Sequence, residues 1–341
     1  MFMKLRDLGE RRCLEIVRRY TQTHPYLEIG FGDDAAVLRM RKKGAPVAVS
    51  TDMLVEGVHF IFPAAGFTDL GIKSYEVNAS DMAAMGAWPV AAFISLGLPP
   101  ETDIQAIRDF YRGFARAAGK HGCVIAGGDM VRSDRVLVCV TIVGIYQAGS
   151  RPLLRSGARP GHRVYVTGWP GESGMGLKLL GEDRSAGRKK RFLPLIRRHL
   201  IPRARVKEGA ALAKSRSTGA VIDVSDGIYN ELSLLAIQGR VRMKIRASCL
   251  PLSPLLKEAC LLKGENPLDM VLFGGEDYEL LFTSSLPFDK IRNLFRVRGG
   301  RVCVHEIGRV EKGCGVVIVD ERDKPIEIVD KTFQHFPVGK T

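Results

Sequence analysis

The chain has 341 residues, a length that suggests two domains of ordinary size. Hydrophobic residues make up 45% and charged residues 26%, the balance of a soluble globular protein with a substantial core. The formal net charge of +14 points to an anionic partner: nucleic acid, a membrane surface or phosphorylated small molecules. No apolar run approaches the ~20 residues of a membrane span, and Met1–Arg19 is too charged for a signal peptide. The seven cysteines are scattered and never spaced C-x-x-C, which argues against a disulfide framework or zinc site and for a reducing cytoplasm.

Helical and strand patterns alternate along the chain. Val47–Ser50 reads as a strand, and Leu70–Met85 as a helix stopped by Gly86. A second, amphipathic helix starts near Asp103, carries Ile104, Ile107, Phe110, Tyr111 and Phe114 at helical spacing, and ends at Gly119–Gly122. Val124–Ala126 and Val136–Tyr146 are predicted strands. Arg151–Gly161 (R-P-L-L-R-S-G-A-R-P-G) interrupts the rhythm, so the domain boundary is placed there, giving units 1–150 and 151–341. Beyond it come a strand at Arg163–Thr167, a mobile polar loop at Gly181–Arg191 and a basic helical segment, Phe192–Ser217. Strands follow at Ala220–Val224 and Gly315–Val319. The basic segment has little aromatic interleaving and matches no nucleic-acid motif, so it reads as a solvated face.

The acids are placed unusually for a basic protein. Asp33 and Asp34 lie in G-F-G-D-D, Asp52 in S-T-D after a strand, and Asp129 in A-G-G-D after another. Asp223 and Asp226 lie in D-V-S-D-G, and Glu276 and Asp277 in F-G-G-E-D. Asp and Gly also make ordinary turns, but five clusters, four of them apparently following strands, suggest a ligand site at strand ends. Asp81 sits near a helix C-terminus, where the macrodipole disfavours negative charge and invites a compensating cation. Ser74, Asn78, Asp81 and Met85 share one face of that helix. Converging carboxylates repel unless a cation lies between them. Oxygen donors without a His or Cys pattern favour a hard cation, Mg²⁺, which carboxylates commonly share with substrate phosphates. No G-x-x-x-x-G-K-[ST] loop and no H-R-D or D-F-G set is present, and Gly30–Ala35 fits the dinucleotide pattern only in part.

G-F-G-D-D-A-A-V-L, S-T-D-M-L-V-E-G-V-H-F, V-N-A-S-D-M-A-A-M-G-A, I-A-G-G-D, L-R-S-G-A-R-P-G, V-I-D-V-S-D-G and F-G-G-E-D-Y-E-L occur in this order. Together they resemble the thiamine-monophosphate kinase family, within the superfamily of aminoimidazole ribonucleotide synthetase, over nearly the whole chain. The resemblance implies a two-domain α/β (α+β) fold of that superfamily: an N-terminal β-rich domain that forms a barrel across a homodimer, and a C-terminal α/β domain completing the substrate site. It implies ATP-dependent phosphorylation of thiamine monophosphate to thiamine diphosphate by direct in-line transfer with several Mg²⁺ ions, in the cytoplasm, with no nucleic-acid or membrane partner.

Carried over by motif, Asp34, Ser50, Thr51, Asp52, Asp81, Asp129, Asp223 and Asp226 form the metal-binding set. Asp52, Asp81, Asp129 and Asp226 are the catalytic acids among them. Gly128, Asp129, Arg155, Ser225 and Tyr111 are implied ATP contacts. His59, Glu276 and Phe333 are implied contacts to thiamine monophosphate. Met130 stands where the family often has Thr, and Phe333 where it has Tyr or Trp. The alternatives are another ATP-using member of the superfamily, such as a selenophosphate synthetase or a hydrogenase maturation protein, or a basic nucleic-acid-binding protein. Against the first two, Cys13 lacks a lysine- and glycine-rich setting, and the last cysteine is Cys314, short of the C-terminus.

Overall fold

The β-branched runs pair into two mixed sheets in a computed structural model that describes residues 27–30, 32–39, 45–180, 186–296 and 302–333. The first half holds β1 (Leu27–Ile29), β2 (Ala36–Leu38), β3 (Val47–Val55), α1 (Phe67–Ala84), β4 (Trp88–Leu98), α2 (Ile104–Ala118), β5 (Val124–Arg132) and β6 (Leu137–Ile145). Its sheet runs β1-β2-β3-β6-β4-β5, with only β4 and β5 parallel.

The second half holds β7 (Arg163–Thr167), α3 (Glu172–Leu180), α4 (Ala186–Leu200), α5 (Val206–Lys214), β8 (Thr218–Asp223), α6 (Ile228–Gly239) and β9 (Arg242–Arg246). It continues with α7 (Pro254–Lys263), α8 (Pro267–Phe273), β10 (Leu280–Ser284), α9 (Phe288–Leu294), β11 (Val304–Glu311) and β12 (Gly315–Val319). The order is β12-β9-β11-β7-β10-β8, with only β12 and β9 parallel.

Several expectations change. Neither sheet is the open parallel kind whose carboxyl ends gather ligands, and Asp52 and Asp129 lie inside β3 and β5 rather than after them. β3 continues past S-T-D because β6 pairs with it through Val55↔Leu137. Residues 181–185 of the expected mobile loop lie outside the described residues, and from Ala186 the chain is already helical. The basic segment is two helices, α4 and α5, separated by a bend at Ile201 and irregular backbone through Arg205. Among the described residues, no helix is long and apolar enough to cross a membrane.

α1 is the central element. Leu70, Tyr75, Ala79, Met82 and Ala83 are buried, but so are Lys73, Ser74, Glu76, Asn78 and Ser80. A helix buried nearly all round does not carry a single apolar stripe. α2 begins at Asp103, whose carboxylate accepts from the Gln105 N–H at 2.7 Å and so caps the helix. Phe110 and Phe114 of α2 are buried, whereas Ile104, on the expected apolar face, is exposed. One hydrophobic cluster runs through both halves, joining Val37, Ile94 and Val140 to Tyr165, Phe282 and Phe295. A second is confined to the second sheet and its helices, around Val166, Ile222, Leu232 and Ile245.

The crossing of α1 and α2 brings backbone against backbone. A Cβ at Gly71 would stand 2.0 Å from the Phe110 carbonyl oxygen, and one at Gly113 would stand 2.1 Å from that of Thr68. Neither position can yield by rotating a side chain, so the helices must separate. Gly71→Ala is therefore expected to lower stability by about 1–3 kcal/mol, read as a lower urea midpoint at unchanged m-value.

Candidate active site

A cavity of about 720 Å³ is walled by both halves of the chain. β3 contributes Ser50, Thr51 and Asp52, α1 contributes Val77 and Asp81, and the turn before β2 contributes Asp33 and Asp34. From the second half come Asp223 at the end of β8, the following Ser225 and Asp226, α8 with Met270 and Phe273, and the Gly274–Tyr278 loop. The two loops are held together by backbone pairing that continues beyond β8 and β10: Glu276 N–H donates to Ser225 O at 2.6 Å and Tyr278 N–H to Val224 O at 2.8 Å. Gly275 permits this approach, since a Cβ there would lie 2.5 Å from Ser225 O.

Three carboxylates form the centre. Asp34, Asp81 and Asp223 each present an oxygen within 4.8 Å of the others. Ser50 donates to Asp81, and Ser80 donates to Asp223 Oδ2 at 2.7 Å. Burial, followed by the charges of Asp52, Asp223 and Asp34, pushes the Asp81 carboxyl well above the usual range. Burial and then Asp34 do the same to Asp223. The Asp52 carboxyl is pushed up to about 6 by burial and the nearby Asp34 charge. Acids crowded and desolvated in this way favour a cation between them, and an all-oxygen donor set with adjoining hydroxyls fits Mg²⁺. Ser50, Thr51 and Asp52 of β3 and Asp226 line the same cavity.

Arg155 enters this centre from the connection between the halves. Its guanidinium donates twice to Asp34, at 3.1 Å from Nε and 2.8 Å from Nη2, and its backbone N–H donates to Asp33 Oδ1 at 2.8 Å. The planar fork expected to clamp a nucleotide phosphate thus already grips a carboxylate. Below the Ser225–Asp226 turn lies Glu231 of α6, buried, with Oε1 accepting from the Asp226 N–H at 2.9 Å and the Ser225 N–H at 3.3 Å. Burial and the Asp226 charge push it up to about 8, against the Asp226 N–H bond that favours its ionised form. Glu231 escaped the sequence reading; its one signal is a Glu in the first helical turn after S-D-G, poised to reach back to the turn's N–H groups.

His59, Glu276 and Phe333 line the same cavity. Glu276 and Tyr278 adopt φ of 61° and 51°, left-handed conformations that cost free energy in non-glycine residues and cluster at functional sites. Asp277, between them, turns away and accepts from the Gly171 and Ser173 N–H groups at 2.7 and 3.1 Å, at the start of α3. Lys73 and His199, neither singled out in the sequence, pair with Glu276 at 2.8 and 3.3 Å. Burial and the Lys73 charge hold His199 down to about 4, so its ring is neutral at pH 7.

Gly128, Asp129 and Tyr111 are not brought to this cavity. Asp129 is aligned through Ser95 and Cys139 with Met53, three strands away or about 14 Å. Asp52, adjacent to Met53, is aligned instead with buried Val140, so the two acids belong to opposite faces of the sheet. Tyr111 packs edge-on against Phe110 in α2. The Gln334-His335-Phe336 stretch lies outside the described residues.

The class that this two-sheet architecture and acid-lined cavity define is that of the AIR synthase related proteins. The model of their N-terminal domain matches residues 32–146, and that of their C-terminal domain matches residues 159–321. The chain is 34% identical over 337 residues to the thiamine-monophosphate kinase of Aquifex aeolicus, covering 98% of this chain and 100% of that one. It is 37% identical over 257 residues to that of Escherichia coli (strain K12), covering 75% and 76% of the two chains. The structure of AaThiL complexed with AMPPCP and TMP matches with a TM-score of 0.84 at 34% identity, covering 98% of this chain and 100% of that one. The chain belongs to the thiamine-monophosphate kinase family.

A carboxyl whose pKa is raised by folding favours the folded state at low pH and loses that effect as the pH passes its folded value. For Asp52 this window runs from the ordinary 3.8 to about 6. In divalent-free buffer these acids therefore weaken the fold as pH rises, and a bound cation relieves them. The gain in melting temperature on replacing EDTA with Mg²⁺ is expected to grow between pH 5 and 7 (roughly one unit either side of that folded value). A gain that is absent, or independent of pH, contradicts the assignment.

Proposed function

We propose that this protein transfers the γ-phosphoryl group of ATP to the phosphate of thiamine monophosphate, giving thiamine diphosphate and ADP, in the cytoplasm. The observation that carries the reading is the convergence of Asp34, Asp52, Asp81 and Asp223 in one cavity that His59, Glu276 and Phe333 also line. Asp34, Ser50, Thr51, Asp52, Asp81, Asp223 and Asp226 are the residues that would hold Mg²⁺. When bound, Mg²⁺ supplies charge screening between two anionic phosphates and stabilises charge on the group in transfer. His59 and Glu276 orient the acceptor, and Phe333 offers an aromatic face to its rings. The attacking atom is a phosphate oxygen that is already ionised at neutral pH, so no side chain has to remove a proton. Positioning and preorganised electrostatics carry the rate. Ser225 supports the ATP phosphates, and Arg155 reaches them when its hold on Asp34 is shared with a cation. The surplus of basic residues acts as a surface field that gathers anionic substrates rather than nucleic acid.

The protein works as a homodimer in this reading, with residues 1–150 as the ATP-binding and pairing domain and 151–341 completing the acceptor site. The support is an apolar face that no described residue covers. Phe93 (44% exposed), Met53 and Ile145 project from the first sheet, and its edge strand β5 exposes Val124, Met130 and Val131 (57%). An unpaired apolar edge is a template for another strand. Pairing there gives Gly128 and Asp129, which stand off the cavity within one chain, a route into a site built across the dimer.

Purified protein with ATP, Mg²⁺ and thiamine monophosphate is expected to yield thiamine diphosphate, measured by chromatography. Asp52→Ala and Asp81→Ala are expected to reduce turnover by on the order of 10³-fold with an unchanged circular dichroism spectrum. Wild-type protein that binds ATP yet forms no product defeats the proposal. For the dimer, Val131→Glu is expected to shift the mass seen by light scattering from two chains to one; a wild-type protein of one-chain mass refutes it.

A further inference from the structure

Lys73 is a charged side chain only 2% exposed, in the middle of a buried helix, and it does not line the cavity. Burying an ammonium is costly unless it is paired and hydrogen-bonded. Its partners are residues implied to contact the phosphate acceptor. Nζ lies 2.8 Å from Glu276 Oε1 and donates to the His59 carbonyl oxygen at 3.0 Å. One cation on α1 thereby ties the turn after β3 to the loop before β10, although His59 and Glu276 are far apart in sequence and come from different halves of the chain.

The rest of the arrangement limits both residues to narrow positions. The His59 N–H donates to Val55 O at 3.0 Å, and its Nδ1 accepts from the Val55 N–H at 3.1 Å. The second Glu276 oxygen lies 3.3 Å from Nδ1 of buried His199, which is also 3.3 Å from Ser173 Oγ. The left-handed backbone of Glu276 needs such support, because that conformation is costly on its own. Without Lys73, the Glu276 carboxylate would lose its lysine partner, and the His59 carbonyl would lose a tie to the second half.

We infer that Lys73 is a positioning residue for the phosphate acceptor: it sets the placement of His59 and Glu276 together without touching substrate. The inference rests on the proposed role of those two residues in binding thiamine monophosphate. Lys73 stands apart from the central acids, since Asp81 lies eight residues further along α1, or about 12 Å. Loss of Lys73 therefore acts on the acceptor and spares ATP.

Kinetics and calorimetry on the full-length protein test it. Lys73→Met is expected to raise the KM for thiamine monophosphate by about tenfold or more while the KM for ATP changes by less than about twofold. Its calorimetric Kd for thiamine monophosphate is expected to rise in parallel, and Lys73→Arg is expected to recover most of the loss. In a Glu276→Gln background, Lys73→Met is expected to add less than about threefold, because residues acting through one another are not additive. Equal rises in both KM values, or an unchanged KM for the acceptor, overturn the inference. If Lys73→Met melts too low to assay, the same split between substrates is required of Lys73→Gln and, more weakly, of Lys73→Arg. Failure of the underlying reading has a different signature: wild-type protein without product, or Glu276→Gln with normal acceptor binding.

Discussion

A helix buried on nearly every side must find partners for its polar side chains in whatever surrounds it, and α1 imposes that requirement on the whole molecule. Within the helix, the Ser74 hydroxyl donates to Leu70 O and the Asn78 Nδ2 to Ser74 O, while the buried Asn78 Oδ1 has no partner among the described residues. The others reach outward. Glu76 accepts from Lys120 at 2.8 Å and from the Ala204 N–H at 2.9 Å, Ser80 bonds Asp223, and Asp81 receives Ser50. Lys73 joins the His59 turn to Glu276. A buried donor or acceptor left alone costs about 1–3 kcal/mol, more when charged. Each bond therefore fixes the neighbouring segment as firmly as it satisfies the helix. The cavity inherits its geometry from these outward bonds.

The same helix delivers a charge that the fold alone does not want. Asp81 and Asp223 stand beside Asp34 in a desolvated space, with two serine hydroxyls and the Arg155 fork on Asp34 as partial compensation. Strain of this kind, together with the left-handed backbone at Glu276 and Tyr278, is concentrated where substrates bind and is carried by the well-packed remainder. The packed remainder is extensive: one apolar cluster crosses both sheets, and backbone contact at Gly71 and Gly113 locks α1 to α2.

What could be read from the sequence followed how local each signal was. Arg163–Thr167 and Gly315–Val319 are strands with the bounds that their β-branched runs suggest. β4 was missed because W-P-V-A-A-F-I-S-L-G-L contains Pro, Ala and Gly, poor strand formers on their own; β6 and β5 on either side make it a strand. Asp52 was expected after a strand because S-T-D reads as a turn, but the β6 ladder carries β3 through it. Most of the cavity acids were legible because each sits in a glycine- or serine-marked motif. Lys73, His199 and Glu231 were not, because a buried charge is recognised by its partner. Glu276 is some two hundred residues from Lys73, and no spacing rule connects them. Asp129 shows the converse: its motif is clear, but the sheet register places it three strands away from the acids it was grouped with.

The apolar cluster shared by Val37 and Ile94 with Tyr165, Phe282 and Phe295 also bears on how such a gene can change. The two halves look modular in sequence, each with its own sheet, yet a cut at Arg151–Gly161 would split one core between the fragments. It would also break the Ala204–Glu76 and Ser80–Asp223 bonds, which cross the cut. Recombination that exchanged one half for that of a distant relative would have to replace a whole packed surface at once. Premature termination late in the reading frame would likewise remove support from the first sheet. The two units are therefore bound to be inherited together, and their divergence is constrained most where α1 touches both.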